Sequence, residues 1–214
     1  MTATVVTLSV QLGSGGFEIA QSVSRKLGYR YYDREITAQA ASLVGVSAET
    51  VLAAEHWPSF IERMLERLAL ASASAEGVLP GTPATNPAAL TMTSADYRRI
   101  IEEVVVELAK RGNCVIVGHA AQVVFRDQEV MSFNVLVHGS AARRAERLAQ
   151  ERDLPVKEAL KEVEESDADR SSLFRHAYGV DLLDSSLYDL TLNTDDLDLD
   201  AATALVLAGV EASS

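Results

Sequence analysis

Near its amino terminus the chain reads Thr4-Val5-Val6-Thr7-Leu8-Ser9-Val10-Gln11-Leu12-Gly13-Ser14-Gly15-Gly16-Phe17-Glu18-Ile19-Ala20. The alternation of β-branched and apolar residues over Thr4–Val10 predicts a strand. After the glycines, apolar residues at helical spacing run to Leu27, where Gly28 is suited to end the helix. Backbone N–H groups converge at such a turn and the helix dipole adds positive potential. We therefore expect a cofactor phosphate to bind at Gly13, Ser14, Gly15 and Gly16; a tight turn without a ligand is the alternative.

This turn departs from the full phosphate-loop motif, which reads Gly-x-x-x-x-Gly-Lys-Ser/Thr. Phe17 and Glu18 follow the glycines, in the region where the motif has its lysine and hydroxyl. The nearest lysine is Lys26, which a helix would place roughly 16 Å beyond Gly15. The turn therefore lacks the cation with which the motif contacts phosphate.

Strand and helix patterns alternate along the rest of the chain. Four more apolar segments predict strands, at Tyr29–Tyr32, Cys114–Val117, Phe133–Val137 and Leu190–Asn193. Helical patterns occur at residues 34–44, 47–58, 61–68, 100–111, 141–152, 155–176 and 198–210. This order predicts an α/β fold with a doubly wound parallel sheet of about five strands, in one domain over residues 1–214. Residues 34–111 are a candidate helical insert, and the proline- and glycine-rich stretch 75–93 within it predicts a flexible flap or loop.

Composition excludes several classes of function. The chain has 214 residues, with 19 lysines and arginines against 31 acidic residues, so its formal net charge is −12. Such acidity disfavours binding to nucleic acid or to an anionic membrane, because phosphate contacts need clustered cations. The single cysteine, Cys114, lies in an apolar run and excludes an intrachain disulfide, and the histidines lack the spacing of metal ligands. No apolar run is long enough to cross a bilayer and no secretory signal is evident, so the cytoplasm is the expected location.

Five segments, taken together and in order, resemble the cytidylate kinase-like family. They are Thr7–Ala20, Tyr31–Ile36, Val115–Ala121, Tyr178–Asp181 and Ser186–Thr194. The resemblance covers roughly residues 4–208 and implies the fold of the P-loop nucleoside monophosphate kinases. It further implies that residues 34–111 are a monophosphate-binding insert and that residues 155–180 form a lid. Relatives that are cytidylate kinases transfer the γ-phosphate of ATP to CMP or dCMP with Mg²⁺.

Four arginines are candidates for the phosphate-donor side of the site. The resemblance implies that Arg170 and Arg175 are catalytic lid arginines that close over the phosphates. It also implies that an arginine on the helix at 141–152 lies against the adenine of ATP, and Arg143 and Arg147 share a face at i and i+4. The alternatives are ion pairs of the lid arginines with nearby aspartates and a solvated helix face paired with glutamates.

Asp33, Arg34 and His119 are candidates for substrate binding. Asp33 and Arg34 follow the second strand, and ligands of α/β sheets bind at the carboxyl ends of strands. Arg34 would hold the phosphate of an acceptor, while Asp33 would orient it or meet a base or sugar. The alternative for Arg34 is a surface ion pair with Glu35 or a helix cap. His119 follows the third strand and, when protonated, can donate to an anion.

The departures from the family pattern leave two functions open. The family has arginine where this chain has Val10 and Phe17, and Gly-Arg-Gly where it has Gly118-His119-Ala120. Loss of one such donor can lower a rate on the order of 10²–10³-fold. One possibility is a kinase of a nucleotide or small phosphorylated ligand that uses ATP and Mg²⁺. The other is a catalytically impaired binding or regulatory protein on the same scaffold. The lost cations slightly favour the impaired protein. A homo-oligomer also stays open.

Overall fold

A computed structural model describes residues 4–33, 36, 42 and 94–213. In this part of the chain five strands form one parallel sheet in the order β2-β3-β1-β4-β5. The strands are β1 (Val5–Val10), β2 (Arg30–Tyr32), β3 (Cys114–Val117), β4 (Ser132–His138) and β5 (Leu190–Asn193). The predicted doubly wound α/β sheet is thereby confirmed. Apart from residues 36 and 42, the helices predicted between 34 and 68, the loop at 75–93 and Arg34 lie outside the described residues.

Six α-helices lie within the described ranges. They are α1 (Gly16–Leu27), α2 (Ser94–Lys110), α3 (Ala121–Val124), α4 (Ala141–Arg152), α5 (Val156–Leu173) and α6 (Leu199–Ala212). The helix predicted to continue to His176 instead ends at Leu173, where a π-helical turn, Phe174–Tyr178, follows and Gly179 terminates it at φ 67°. None of the helices in the described part of the chain is long and apolar enough to span a membrane.

The chain divides into two compact units, Met1–Asp33 with Val105–Ser214, and Arg34–Val104. The first unit contains the sheet, and all six residues of β1 are buried. Val6, Leu8 and Val10 project from one face of the sheet into an apolar core. This core is completed by α1 and α6, which supply Ile19, Ala20, Val23, Ala202, Val206 and Val210.

The opposite face of β1 carries hydroxyl groups. Thr7 and Ser9 are buried there, and the Thr7 Oγ1 atom donates a hydrogen bond to Asn134 Oδ1 at 2.8 Å. The Ser9 hydroxyl accepts a hydrogen bond of 3.1 Å from Arg170 of α5. The alternation of β1 thus places an apolar face against α1 and a polar face near α5, and the strand delivers both to the same glycine turn.

Candidate functional site

The turn between β1 and α1, residues 11–16, is called the phosphate loop below. Gly13 and Gly15 adopt left-handed backbone conformations, with φ of 75° and 74°. A Cβ atom on Gly13 would overlap the carbonyl oxygen of Arg144, and one on Gly15 would lie 2.6 Å from the Leu199 side chain. A Cβ atom on Gly16 would lie 2.5 Å from the Val10 side chain. Backbone conformation therefore favours glycine at positions 13 and 15, and at position 13 a side chain would also overlap the backbone of Arg144.

The phosphate loop presents hydrogen-bond donors. Gly15 is the N-cap of α1 and has no side chain that could cap the first turn, so the leading N–H groups of the helix, from Gly16 onward, have no partner within it. The Ser14 hydroxyl is the only buried side-chain polar atom in the described residues without a hydrogen-bond partner. Donors fixed at a helix N-terminus are suited to bind an anion such as a phosphate group.

Arg147 and Arg170, predicted to contact ATP, both donate to backbone carbonyls around this loop. Arg147 binds the Gly13 carbonyl at 3.4 Å, the Thr194 hydroxyl at 3.3 Å and the Thr194 carbonyl. Arg170 binds the carbonyl of Val10, and burial lowers the pKa of its guanidinium below the ordinary value. Both side chains are half-buried.

Arg143 and Arg175 face solvent. Arg143 pairs with Glu146 at 3.2 Å and with Asp196 at 3.3 Å, and hydrogen bonds first to Glu146 and then to Asp196 raise the pKa of its guanidinium. Arg175 lies 3.8 Å from Asp181. Although Arg143 and Arg147 lie at positions i and i+4 of one helix, they therefore occupy different environments.

Asp33 and His119 meet at the carboxyl ends of β2 and β3. The Nε2 atom of His119 lies within hydrogen-bond distance, 3.1 Å, of the Asp33 carbonyl oxygen. His119 and Ala120, with φ of 56° and 49°, continue a left-handed run that begins at Gly118. Left-handed non-glycine residues are strained, and such strain clusters at ligand sites. These candidates therefore adjoin the edge of the sheet from which the phosphate loop also leaves.

Sequence reasoning missed two residues that bind the loop. Arg144 is 2% exposed and donates to the Leu12 carbonyl at 3.1 Å, to Gly139 and to Asp167. Thr194, fully buried after β5, donates its hydroxyl to the Ser14 carbonyl at 2.9 Å. A signal for the burial of Arg144 was available in the sequence, since Arg144 lies four residues before Leu148 on the apolar face of α4.

A metal site built from protein groups alone is absent from the described residues, in which no three histidine, cysteine, aspartate or glutamate side chains cluster. The lone thiol is buried in β3, and burial raises the pKa of Cys114 to about 11. Because the thiolate is the reactive form, Cys114 is inert at neutral pH.

Comparison with known proteins finds similarity to the cytidylate kinase-like family. A model of the cytidylate kinase-like family matches residues 5–196. The cytidylate kinase of Pyrococcus horikoshii is 29% identical over 106 residues, which are 50% of this chain and 54% of that protein. The chain therefore spans about half the length of that relative. The cytidylate kinase of Thermoplasma volcanium is 21% identical over 210 residues, 98% of this chain and 92% of that protein.

Solved structures agree on the fold. A crystal structure of an uncharacterized protein from Eubacterium ventriosum has a TM-score of 0.67 at 15% identity, covering 97% of this chain and 98% of its own. Shikimate kinase from Bacteroides thetaiotaomicron has a TM-score of 0.53 at 13% identity, covering 99% of both chains. At these identities the likeness shows a shared fold.

Proposed function

The chain belongs to the cytidylate kinase-like family of P-loop kinases, and we propose that it binds a nucleoside triphosphate and transfers its γ-phosphoryl group to a small phosphate acceptor. One observation carries this proposal. The phosphate loop offers unpartnered N–H groups and the buried Ser14 hydroxyl at the N-terminus of α1, and a Cβ atom on Gly13 would overlap the backbone of Arg144. Donors fixed in this way fit the oxygens of a phosphate chain.

On the donor side, Gly13, Ser14, Gly15 and Gly16 would hold the phosphates. Arg143, whose guanidinium is about half exposed, would reach the adenine from α4. Mg²⁺ bound to the nucleotide would neutralise charge on the phosphates, and it would be held mainly by phosphate oxygens and water because protein carboxylates do not cluster in the described residues.

On the acceptor side, Asp33, Arg34 and His119 would bind a nucleoside monophosphate, with residues 34–111 as the monophosphate-binding insert. CMP or dCMP is the proposed acceptor, because the matched relatives are cytidylate kinases. In the reaction an acceptor phosphate oxygen attacks the γ-phosphorus and the bond to the β-phosphate oxygen breaks. Arg175, at the end of the proposed lid over residues 155–180, would neutralise the charge that develops on the transferring group.

A second function is favoured by a specific observation. Phe17 is 41% exposed at the first turn of α1, and Val10 packs in the apolar core, so neither position of the lost arginines supplies charge. Phosphoryl transfer relies mainly on positioning and on charge neutralisation. We therefore propose, as the second candidate, a nucleotide-binding protein with impaired catalysis on the same scaffold.

Calorimetry followed by a coupled kinase assay separates the two functions. The protein would be titrated with Mg·ATP and with CMP, and turnover measured with both present. Binding with turnover supports the kinase, and binding of either nucleotide without turnover supports the impaired protein. If neither nucleotide gives a heat of binding or displaces a fluorescent ATP analogue from the protein, both functions are excluded.

A further inference from the structure

Every backbone carbonyl from Val10 to Gly15 accepts a hydrogen bond. The donors to Val10, Leu12 and Gly13 are the guanidinium groups of Arg170, Arg144 and Arg147, respectively. The donors to Gln11, Ser14 and Gly15 are the Ser14 N–H group at 3.1 Å, the Thr194 hydroxyl at 2.9 Å and the Ile19 N–H group at 3.1 Å. We call Arg144, Arg147 and Arg170 the carbonyl-side arginines, because Arg144 and Arg147 bind carbonyls of the phosphate loop and Arg170 binds the carbonyl of Val10, the residue before it.

The direction of these hydrogen bonds fixes the direction of the N–H groups. In a trans peptide the C=O and the following N–H point to opposite sides. The hydrogen bond from Arg144 to the Leu12 carbonyl therefore directs the Gly13 N–H away from α4. The hydrogen bond from Thr194 to the Ser14 carbonyl directs the Gly15 N–H away from Thr194. A carbonyl that accepts from a charged donor also polarises its peptide, which strengthens the opposite N–H as a donor.

The charges of the carbonyl-side arginines are unequally balanced. Arg144 forms a two-pronged ion pair with Asp167, at 2.5 and 3.2 Å, so this pair is close to neutral. Arg147 and Arg170 have no carboxylate within ion-pair distance among the described residues. Two positive charges thus remain behind the phosphate loop, in a half-buried setting where salt screens them less than on an open surface.

We propose that the carbonyl-side arginines replace, through the backbone, the lysine that the phosphate loop lacks. Arg144 is a positioning residue that holds the Gly13 N–H toward an anion. Arg147 and Arg170 act by positive potential without touching the anion, because the N–H groups behind their carbonyls, those of Ser14 and Gln11, already donate to the carbonyls of Gln11 and Val137. The inference rests on the proposed function, because it concerns how the same loop binds the phosphates of a nucleotide. It differs from the lid role predicted for Arg170 and the adenine role predicted for Arg147.

Two substitutions test this with opposite signs. Arg147→Gln removes one positive charge behind the phosphate loop, so affinity for Mg·ATP and inorganic pyrophosphate should fall about threefold, as expected for one charge that acts through space. Arg152→Gln is its matched control, since Arg152 lies on the same helix and pairs with Glu162 at 2.7 Å.

Asp167→Asn keeps an acceptor for Arg144 but removes the balancing charge, so affinity should rise about threefold. Asp169→Asn, exposed on the same helix, is the control for that change.

The gain of affinity is the decisive result, because a merely structural role for Asp167 predicts a loss. Titration calorimetry of wild type and variants with Mg·ATP and pyrophosphate gives the affinities, and thermal unfolding reports whether each variant folds. Unchanged or weaker binding by Asp167→Asn, with a wild type that binds, overturns the inference and leaves the proposed function standing. No binding by the wild type overturns the proposed function itself. If Arg147→Gln does not fold, the comparison of Asp167→Asn with Asp169→Asn decides alone.

Discussion

Gly13 shows at the scale of a single residue how closely the phosphate loop is packed. Its backbone is left-handed and its α-carbon faces the carbonyl oxygen of Arg144. Gly28, which ends α1 at φ 68°, has the same backbone conformation but no atom near the place where a Cβ would stand. The two glycines therefore separate the cost of backbone strain from the cost of overlap.

Gly13→Ala is expected to lower the free energy of unfolding by at least ~2 kcal/mol, because strain and a backbone overlap add. Gly28→Ala should cost only about 1 kcal/mol, from strain alone. Urea unfolding followed by circular dichroism gives both values. Equal losses in the two variants would show that the loop moves to accommodate the methyl group.

Phe17 offers a position where a cation can be restored. It is 41% exposed in the first turn of α1, so an arginine there can reach an anion at the loop. Phe17→Arg should tighten Mg·ATP binding about tenfold, as expected for one charged hydrogen bond. Phe17→Gln controls for loss of the ring, and titration calorimetry provides the affinities. Equal affinity in the Arg and Gln variants would contradict the prediction.

Val10 does not offer the same opportunity. It is 7% exposed within the core between the sheet and α1, so Val10→Arg would bury an unpaired charge. We expect this variant to lose about 3 kcal/mol or more of unfolding free energy, measured by urea titration. Val10→Ile is the apolar control, and a stable Val10→Arg protein would show that this side chain has a route to solvent.

At the scale of elements, α5 connects a packed seam to the phosphate loop. Ala159 and Val163 in its first half pack against α4, while Asp167 and Arg170 further along reach the loop region. These four residues recur at i, i+4, i+8 and i+11, so one face of the helix carries both functions. Packing of α5 therefore fixes the side chains that contact the loop.

Val163→Ala should test that connection. Val163 is fully buried, so truncation should lower the unfolding free energy by about 2 kcal/mol. Val156→Ala, at a 52% exposed position of the same helix, should change it by less than about 0.5 kcal/mol. Hydrogen exchange of the Gly13–Gly16 amides should also quicken in Val163→Ala only. Unaltered exchange there would show that the loop is ordered independently of α5.

At the scale of the whole molecule, negative charge is in excess. With 31 acidic residues against 19 lysines and arginines, like charges repel one another at neutral pH. The phosphate loop is an exception, because the carbonyl-side arginines gather behind it. An acidic protein can thus offer a positive site where cations are held by the backbone.

Raising NaCl from 10 to about 300 mM should therefore raise the melting temperature at pH 7 by a few degrees, because salt screens the repulsion. Near pH 4.8, the pI of the sequence, the same salt step should have little effect because net charge is close to zero. Differential scanning calorimetry at both pH values measures this. A fall in melting temperature at pH 7 would show that local ion pairs outweigh the general repulsion.

The strands, the glycine turn and the family likeness were readable from the sequence because each rests on local pattern. Periodicity found all five strands of the part of the chain that the structure describes, and the glycines of the turn located the phosphate loop. The helix end at Leu173 was missed because Phe174–Tyr178 keeps a helical pattern while its hydrogen bonds shift to a π turn. Arg34 lies outside the described residues, so its assignment stays a prediction.

The placement of charge was decided by the tertiary structure alone. Sequence spacing grouped Arg143 with Arg147, yet Arg143 faces solvent and Arg147 binds Gly13 and Thr194, which are far apart in the chain. The position of Arg144 on the apolar face of α4 indicated burial, but spacing did not show that Arg144 donates to the Leu12 carbonyl or Arg170 to the Val10 carbonyl. Local pattern determined where the anion site is, because a strand, glycines and a helix are consecutive. What surrounds that site depended on contacts between residues more than a hundred positions apart, which only folding brings together.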